Sequence, residues 1–100
     1  MADFILLMHG DSTRADSDSS DDAWGPYIQK LKASGCFEGG SAVGGGVCVN
    51  KAGTSVELSK RIVGFITVQA RSLEHARELV DGNPVFEAGG TVEIRELPRT

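Results

Sequence analysis

The chain has 100 residues, 40% of them hydrophobic and 24% charged, with 10 basic against 14 acidic side chains, a net charge of −4 and a pI near 5.0. Such a length and composition describe one globular domain and not a disordered chain, and the acidic balance argues against nucleic acid or an anionic membrane surface as a partner. No apolar run nears the roughly 20 residues of a bilayer span, the opening Met1-Ala2-Asp3 has no basic leader region, and Cys36 and Cys48 are too few for a disulfide framework, so the expected setting is cytoplasmic with reduced thiols.

The first expected strand is Phe4–His9, with Phe4, Leu6 and Met8 on one face and Ile5 and Leu7 on the other. A strand apolar on both faces belongs in the middle of a sheet covered on both sides. The segment Asp11–Asp22 has no large apolar residue and reads as a polar, mobile loop. Its acidic run lacks the central Gly and closing Glu of a helix–loop–helix calcium site. Asp22 is the expected N-cap of a helix over 23–34. That cap puts Pro26 at the fourth helical position, where no intrahelical N–H bond is lost. Trp24, Ile28 and Leu31 recur at helical spacing with Tyr27 alongside, and Gly35 is the stop.

A second strand is expected over Ser41–Asn50. Val43, Val47 and Val49 share one face, and the other, with Ala42, Gly44, Gly46 and Cys48, is nearly bare. A bare face implies a bulge or a close approach by other atoms. Residues 51–60 form a connector, and the β-branched run Arg61–Ala70 is the third strand. Ser72 caps a second helix, Leu73–Val80, whose apolar face is Leu73, Ala76, Leu79 and Val80, and Gly82 ends it. Residues 82–90 read as a loop. The last strand, Thr91–Leu97, alternates, with Val92 and Ile94 inward and Glu93 and Arg95 opposite.

The order βαββαβ predicts an α+β, ferredoxin-like fold, a four-stranded antiparallel sheet with two helices on one face and the first and third strands central. The uncovered face, with Phe65 or its neighbours, calls for a cover, and a second copy of the chain is the expected one.

His9 is the first candidate for chemistry, because imidazole exchanges a proton near neutral pH. Asp11 lies two residues on and has the parity to orient the ring, unless Gly10 breaks that parity. Trp24 and Tyr27 pair an apolar body with a polar tip, which suits either a pocket rim or the core. Glu93 and Arg95 project together, as a substrate contact, an exposed ion pair or a contact to a partner chain. His75 reads as surface. The zinc spacings, phosphate loop, dinucleotide fingerprint and serine elbow are absent from the sequence, so neither metal nor cofactor is expected.

The stretches "FILLMHGD", "WGPY", "LKASGCFEGG", "VGFITVQARSLEHARELV" and "NPVFEAGGTVEIRELP" resemble the YCII-related (DGPF-domain) family, from Phe4 to Pro98. The resemblance implies a dimeric α+β barrel, in which two such sheets pack face to face around a cavity, and an enzymatic role resting on a His/Asp pair. The Asp-Gly-Pro-Phe tetrapeptide expected before the third strand is replaced here by "NKAGTSVELSKRIVGF". Three functions follow. One is a cofactor-free enzyme in which His9 and Asp11 move a proton on a small metabolite, with Trp24, Tyr27, Phe65 and Arg95 binding it. The second is a non-catalytic small-molecule-binding or regulatory dimer. The third is a structural dimer.

Overall fold

A computed structural model describes residues 1–11, 21–52 and 61–98. The elements are β1 (Ala2–His9), α1 (Asp21–Ala33), β2 (Phe37–Ala42), β3 (Ile62–Ala70), α2 (Leu73–Glu78), α3 (Pro84–Glu87) and β4 (Val92–Leu97). The four strands form one antiparallel sheet in the order β2-β3-β1-β4, with β1 and β3 central as expected.

Strand periodicity divides the sheet into two faces. On one, Phe4, Leu6 and Met8 of β1 and Ile66, Val68 and Ala70 of β3 are buried together with Tyr27, Leu31, Ala76, Val80 and Val85. Leu6 and Val68 are fully excluded from solvent. Burial of each such side chain stabilises the fold by about 1.5–3 kcal/mol. On the other face Ile5, Leu7, Phe65, Thr67 and Gln69 are only half-buried. The described helices leave that face open.

Several boundaries differ from the sequence reading. The helix α1 begins at Asp21, so Asp22 lies inside it and is not the cap, and Pro26 is the sixth helical residue. At that position its missing N–H leaves the Asp22 carbonyl without the usual i−4 donor. Lys30 and Lys32 lie in the last turn, where cations suit the helix dipole, and Gly35, at φ +77°, provides the stop.

The second strand spans 37–42 and meets the expected 41–50 only at Ser41 and Ala42. Its partner explains this. Ala42 pairs with Gly64 close to the start of β3, and one further bond, Val43 N to Val63 O at 3.0 Å, exhausts the ladder. The close approach expected of the glycines falls at Gly40. A Cβ there would lie 2.5 Å from the Phe65 carbonyl oxygen, whereas Gly44 and Gly46 have open space. Val47 and Val49 are more than four-fifths exposed.

The expected loop after the second helix contains α3. The Asn83 side chain accepts from the backbone N–H of Val85 (3.0 Å) and of Phe86 (3.2 Å), and Pro84 takes the first turn. Ser72 caps α2 as expected, accepting from His75 N–H. Leu73 is 52% exposed and is not part of the packed face, which Ala76, Leu79 and Val80 carry. The polar loop and the connector fall largely on residues 12–20 and 53–60, outside the described residues.

Candidate functional site

The end of β1 is held on both sides. His9 N–H donates to Thr91 O (2.9 Å) and Gly10 N–H to Arg61 O (2.7 Å). Between Met8 and His9 the register with β3 slips, since Met8 faces Gly64 but His9 faces Ile62. Val63 is therefore the extra residue of a bulge, a device that re-aims side chains at a strand end.

His9 keeps the parity of Leu7 and Ile5 and so belongs to the open face. Its side chain is only 12% exposed. The ring Nε2 lies 2.9 Å from Glu93 Oε1. Glu93 sits opposite Leu7 in the β1–β4 ladder and is thus a diagonal neighbour of His9 on the same face. A carboxylate only accepts, so Nε2 carries the hydrogen of this bond. The second oxygen, Oε2, accepts from Arg95 at 3.3 Å. These two bonds, the one from His9 first, hold the Glu93 carboxyl below the usual glutamate range.

Asp11 does not reach the ring in this way. Its two oxygens accept from Thr91, Oδ1 from the backbone N–H (2.8 Å) and Oδ2 from the hydroxyl (2.7 Å). The hydroxyl bond first, then the backbone bond, holds its carboxyl below the usual aspartate range, and the charge of His9 contributes least. The expected His9–Asp11 contact is therefore replaced by His9–Glu93, and Asp11 fastens the exit of β1 to the entry of β4.

The aromatic candidates separate across the sheet. Phe65 lies on the open face beside Leu7, its partner in the β1–β3 ladder. Tyr27 is 3% exposed and part of the helix-side core, its hydroxyl donating to Leu79 O at 2.7 Å, and burial pushes its phenol up. Trp24 packs against the same core and meets Tyr27 edge-on, ring centroids 6.0 Å apart. Tyr27 and Trp24 therefore do not line a space with His9, because the sheet lies between them. Arg95, 68% exposed at its side chain, does share the face of His9.

A shallow groove of about 320 Å³ lies at the other end of the molecule, its lining including Phe4, Arg71, Leu73, Ile94, Arg95 and Glu96. His9 is not part of it. Among the described residues no group of three or more His, Cys, Asp or Glu side chains is arranged to hold a metal ion. No helix among them is long and apolar enough to cross a membrane.

Sequence reasoning placed Glu93 and Arg95 on one face but missed Glu93 as the partner of His9. The signal was available in part. The expected strand order makes β1 and β4 neighbours, and only their register remained to be known.

No curated protein matches the chain in sequence. Among solved structures, the 5-chloro-2-hydroxyhydroquinone dehydrochlorinase of Burkholderia phenoliruptrix AC1100, in complex with 2,5-dihydroxybenzoquinone, is similar at TM-score 0.62 and 16% identity. The superposition covers 100% of this chain and 96% of that one, so the fold is shared across its whole length. The model of the YCII-related domain matches residues 3–99, and the chain accordingly belongs to the YCII-related family.

Proposed function

We propose that the protein is a small-molecule-processing enzyme that works as a cytoplasmic homodimer without a cofactor, His9 exchanging a proton with a small, partly aromatic metabolite. The observation that carries this reading is the largely buried His9 ring, held through Nε2 by Glu93 at the rim of an open, half-apolar sheet face. Leu7 and Phe65 offer that ligand an apolar floor, and Arg95 offers it a cation. The fold-level likeness to a dehydrochlorinase is consistent with the reading and assigns it no substrate. The open face supports the dimer, since Ile5, Leu7 and Phe65 stay partly in water in the single chain. Two cysteines are too few for the disulfide framework of a small secreted domain, which suits the compartment.

The test is a panel of hydroxylated and halogenated small aromatics, assayed for turnover and for stabilisation of the native state against heat. His9→Ala is run beside the wild type, and sedimentation gives the oligomeric state. Turnover lost in His9→Ala, with melting temperature and dimer intact, upholds the reading. Turnover unchanged in that variant overturns the catalytic role, and stabilisation without turnover makes the protein a binding domain. A monomer at micromolar concentration removes the dimer.

A further inference from the structure

The parity of the sequence offers Asp11 as a group to orient His9, whereas in the fold each has a different partner. We propose that Glu93 is the positioning residue of His9, that Nδ1 is in consequence the nitrogen that exchanges the proton with the ligand, and that Asp11 is a latch whose hydrogen bonds go to Thr91 and not to the ring. This rests on the proton-transfer reading of the site and says which groups perform it.

The geometry gives each group one task. Nε2 is committed to Glu93 Oε1 at 2.9 Å, which leaves Nδ1 as the ring nitrogen with a lone pair to accept a proton. Arg95 holds the other carboxylate oxygen at 3.3 Å, which keeps Glu93 from turning away. Glu93 is on a paired strand, opposite Leu7, so its backbone is fixed by the ladder and not by a loop. Asp11 uses both oxygens on Thr91. Thr91 in turn accepts the His9 backbone N–H through its own carbonyl, at 2.9 Å. Asp11 therefore touches the strand exit that carries the ring, and the ring itself is touched by Glu93.

The step balances with no further reactant. Neutral His9 takes a proton at Nδ1 from an O–H or C–H bond of the ligand. The electron pair of that bond stays on the ligand as an anion. The imidazolium formed keeps its Nε2–H on the Glu93 carboxylate, and the same proton returns to the product from Nδ1. Arg95, an exposed cation on the same face and paired with Glu93, adds positive charge to the side of the sheet where that anion forms.

Carboxyl NMR titration of Glu93 and Asp11 separates the two assignments and needs no substrate. His9→Phe, which keeps a ring but removes its N–H, is expected to move the Glu93 titration up toward the ordinary range and to leave Asp11 nearly in place. Thr91→Val is expected to do the reverse. Should His9→Phe move Asp11 and leave Glu93, the assignment is overturned. Because these readouts do not depend on turnover, a protein with no enzymatic activity leaves the pairing testable, and the failure of the enzyme reading is seen separately. Where turnover is found, Glu93→Gln is expected to lower kcat at least about tenfold and to displace the pH profile, whereas Thr91→Val, which loosens the latch, leaves the profile in place. A profile displaced by Thr91→Val and not by Glu93→Gln refutes the division of roles.

Discussion

Leu6 and Leu7 are adjacent in the chain, yet the structure gives them different energetic roles, and paired alanine substitutions measure the difference. Leu6 is fully buried, facing Ile66 in β3 and Ile94 in β4, beneath the helices. Leu6→Ala removes buried methyl groups and leaves a cavity in a central strand, at a cost of about 2–5 kcal/mol. For a domain of this size 1 kcal/mol shifts the melting temperature by about 4–8 °C, so a loss of about 3 kcal/mol lowers it by roughly 12–24 °C. Leu7 is half-buried on the open face, facing Phe65 and Glu93. Within one chain its truncation forfeits only part of a leucine's transfer energy, about 1 kcal/mol. If a second copy covers that face, Leu7→Ala also weakens association, and its apparent cost grows with protein concentration. Urea unfolding at several concentrations between nanomolar and tens of micromolar is the assay. The Leu6→Ala deficit is expected to stay constant across the series, and the Leu7→Ala deficit to shrink on dilution. A Leu6→Ala loss below about 1 kcal/mol would refute the assignment of the core face, and a Leu7→Ala deficit indifferent to concentration would refute the covered face.

Gly40→Ala places a methyl group 2.5 Å from the Phe65 carbonyl oxygen and 3.0 Å from Ile66 Cα, both backbone. Neither can yield without moving a strand, so amide exchange along β2 should rise sharply relative to wild type. Asn83→Ala removes a buried acceptor that satisfies Val85 and Phe86 N–H, and a loss of about 1–2 kcal/mol in denaturant unfolding is expected. The Asp11 and Glu93 carboxyls titrate below their unfolded values of about 4. Their stabilising contribution is therefore complete above about pH 5 and disappears as the pH falls through the lower, folded values. Thr91→Val removes the hydroxyl bond to Asp11, and a shallower loss of stability on the acid side, measured by urea midpoints from pH 6 to 2, is the expected result.

The layout was legible without coordinates wherever the signal is local and repeated. Phe4–Met8 is apolar at every position, which marks a central strand, and the period-two pattern of Val92 and Ile94 against Glu93 and Arg95 marks a half-covered one. Ser72 and Gly35 act through bonds and backbone angles within one turn of their own helices, so each was readable in place. The Asn83–Pro84 helix start was as local, and went unread because asparagine, proline and glycine also spell a turn. The remaining features are set between segments far apart in the chain. Where β2 ends depends on where β3 begins, since a ladder needs two backbones, and valines at 47 and 49 cannot extend it alone. Whether Tyr27 faces the site or the core depends on which side of the sheet α1 occupies. The partner of His9 is 84 residues away. Sequence proximity favours Asp11, but a hydrogen bond is decided by distance and direction in space, and these follow from the β1–β4 register, which brings Thr91 to Asp11 and Glu93 to the ring.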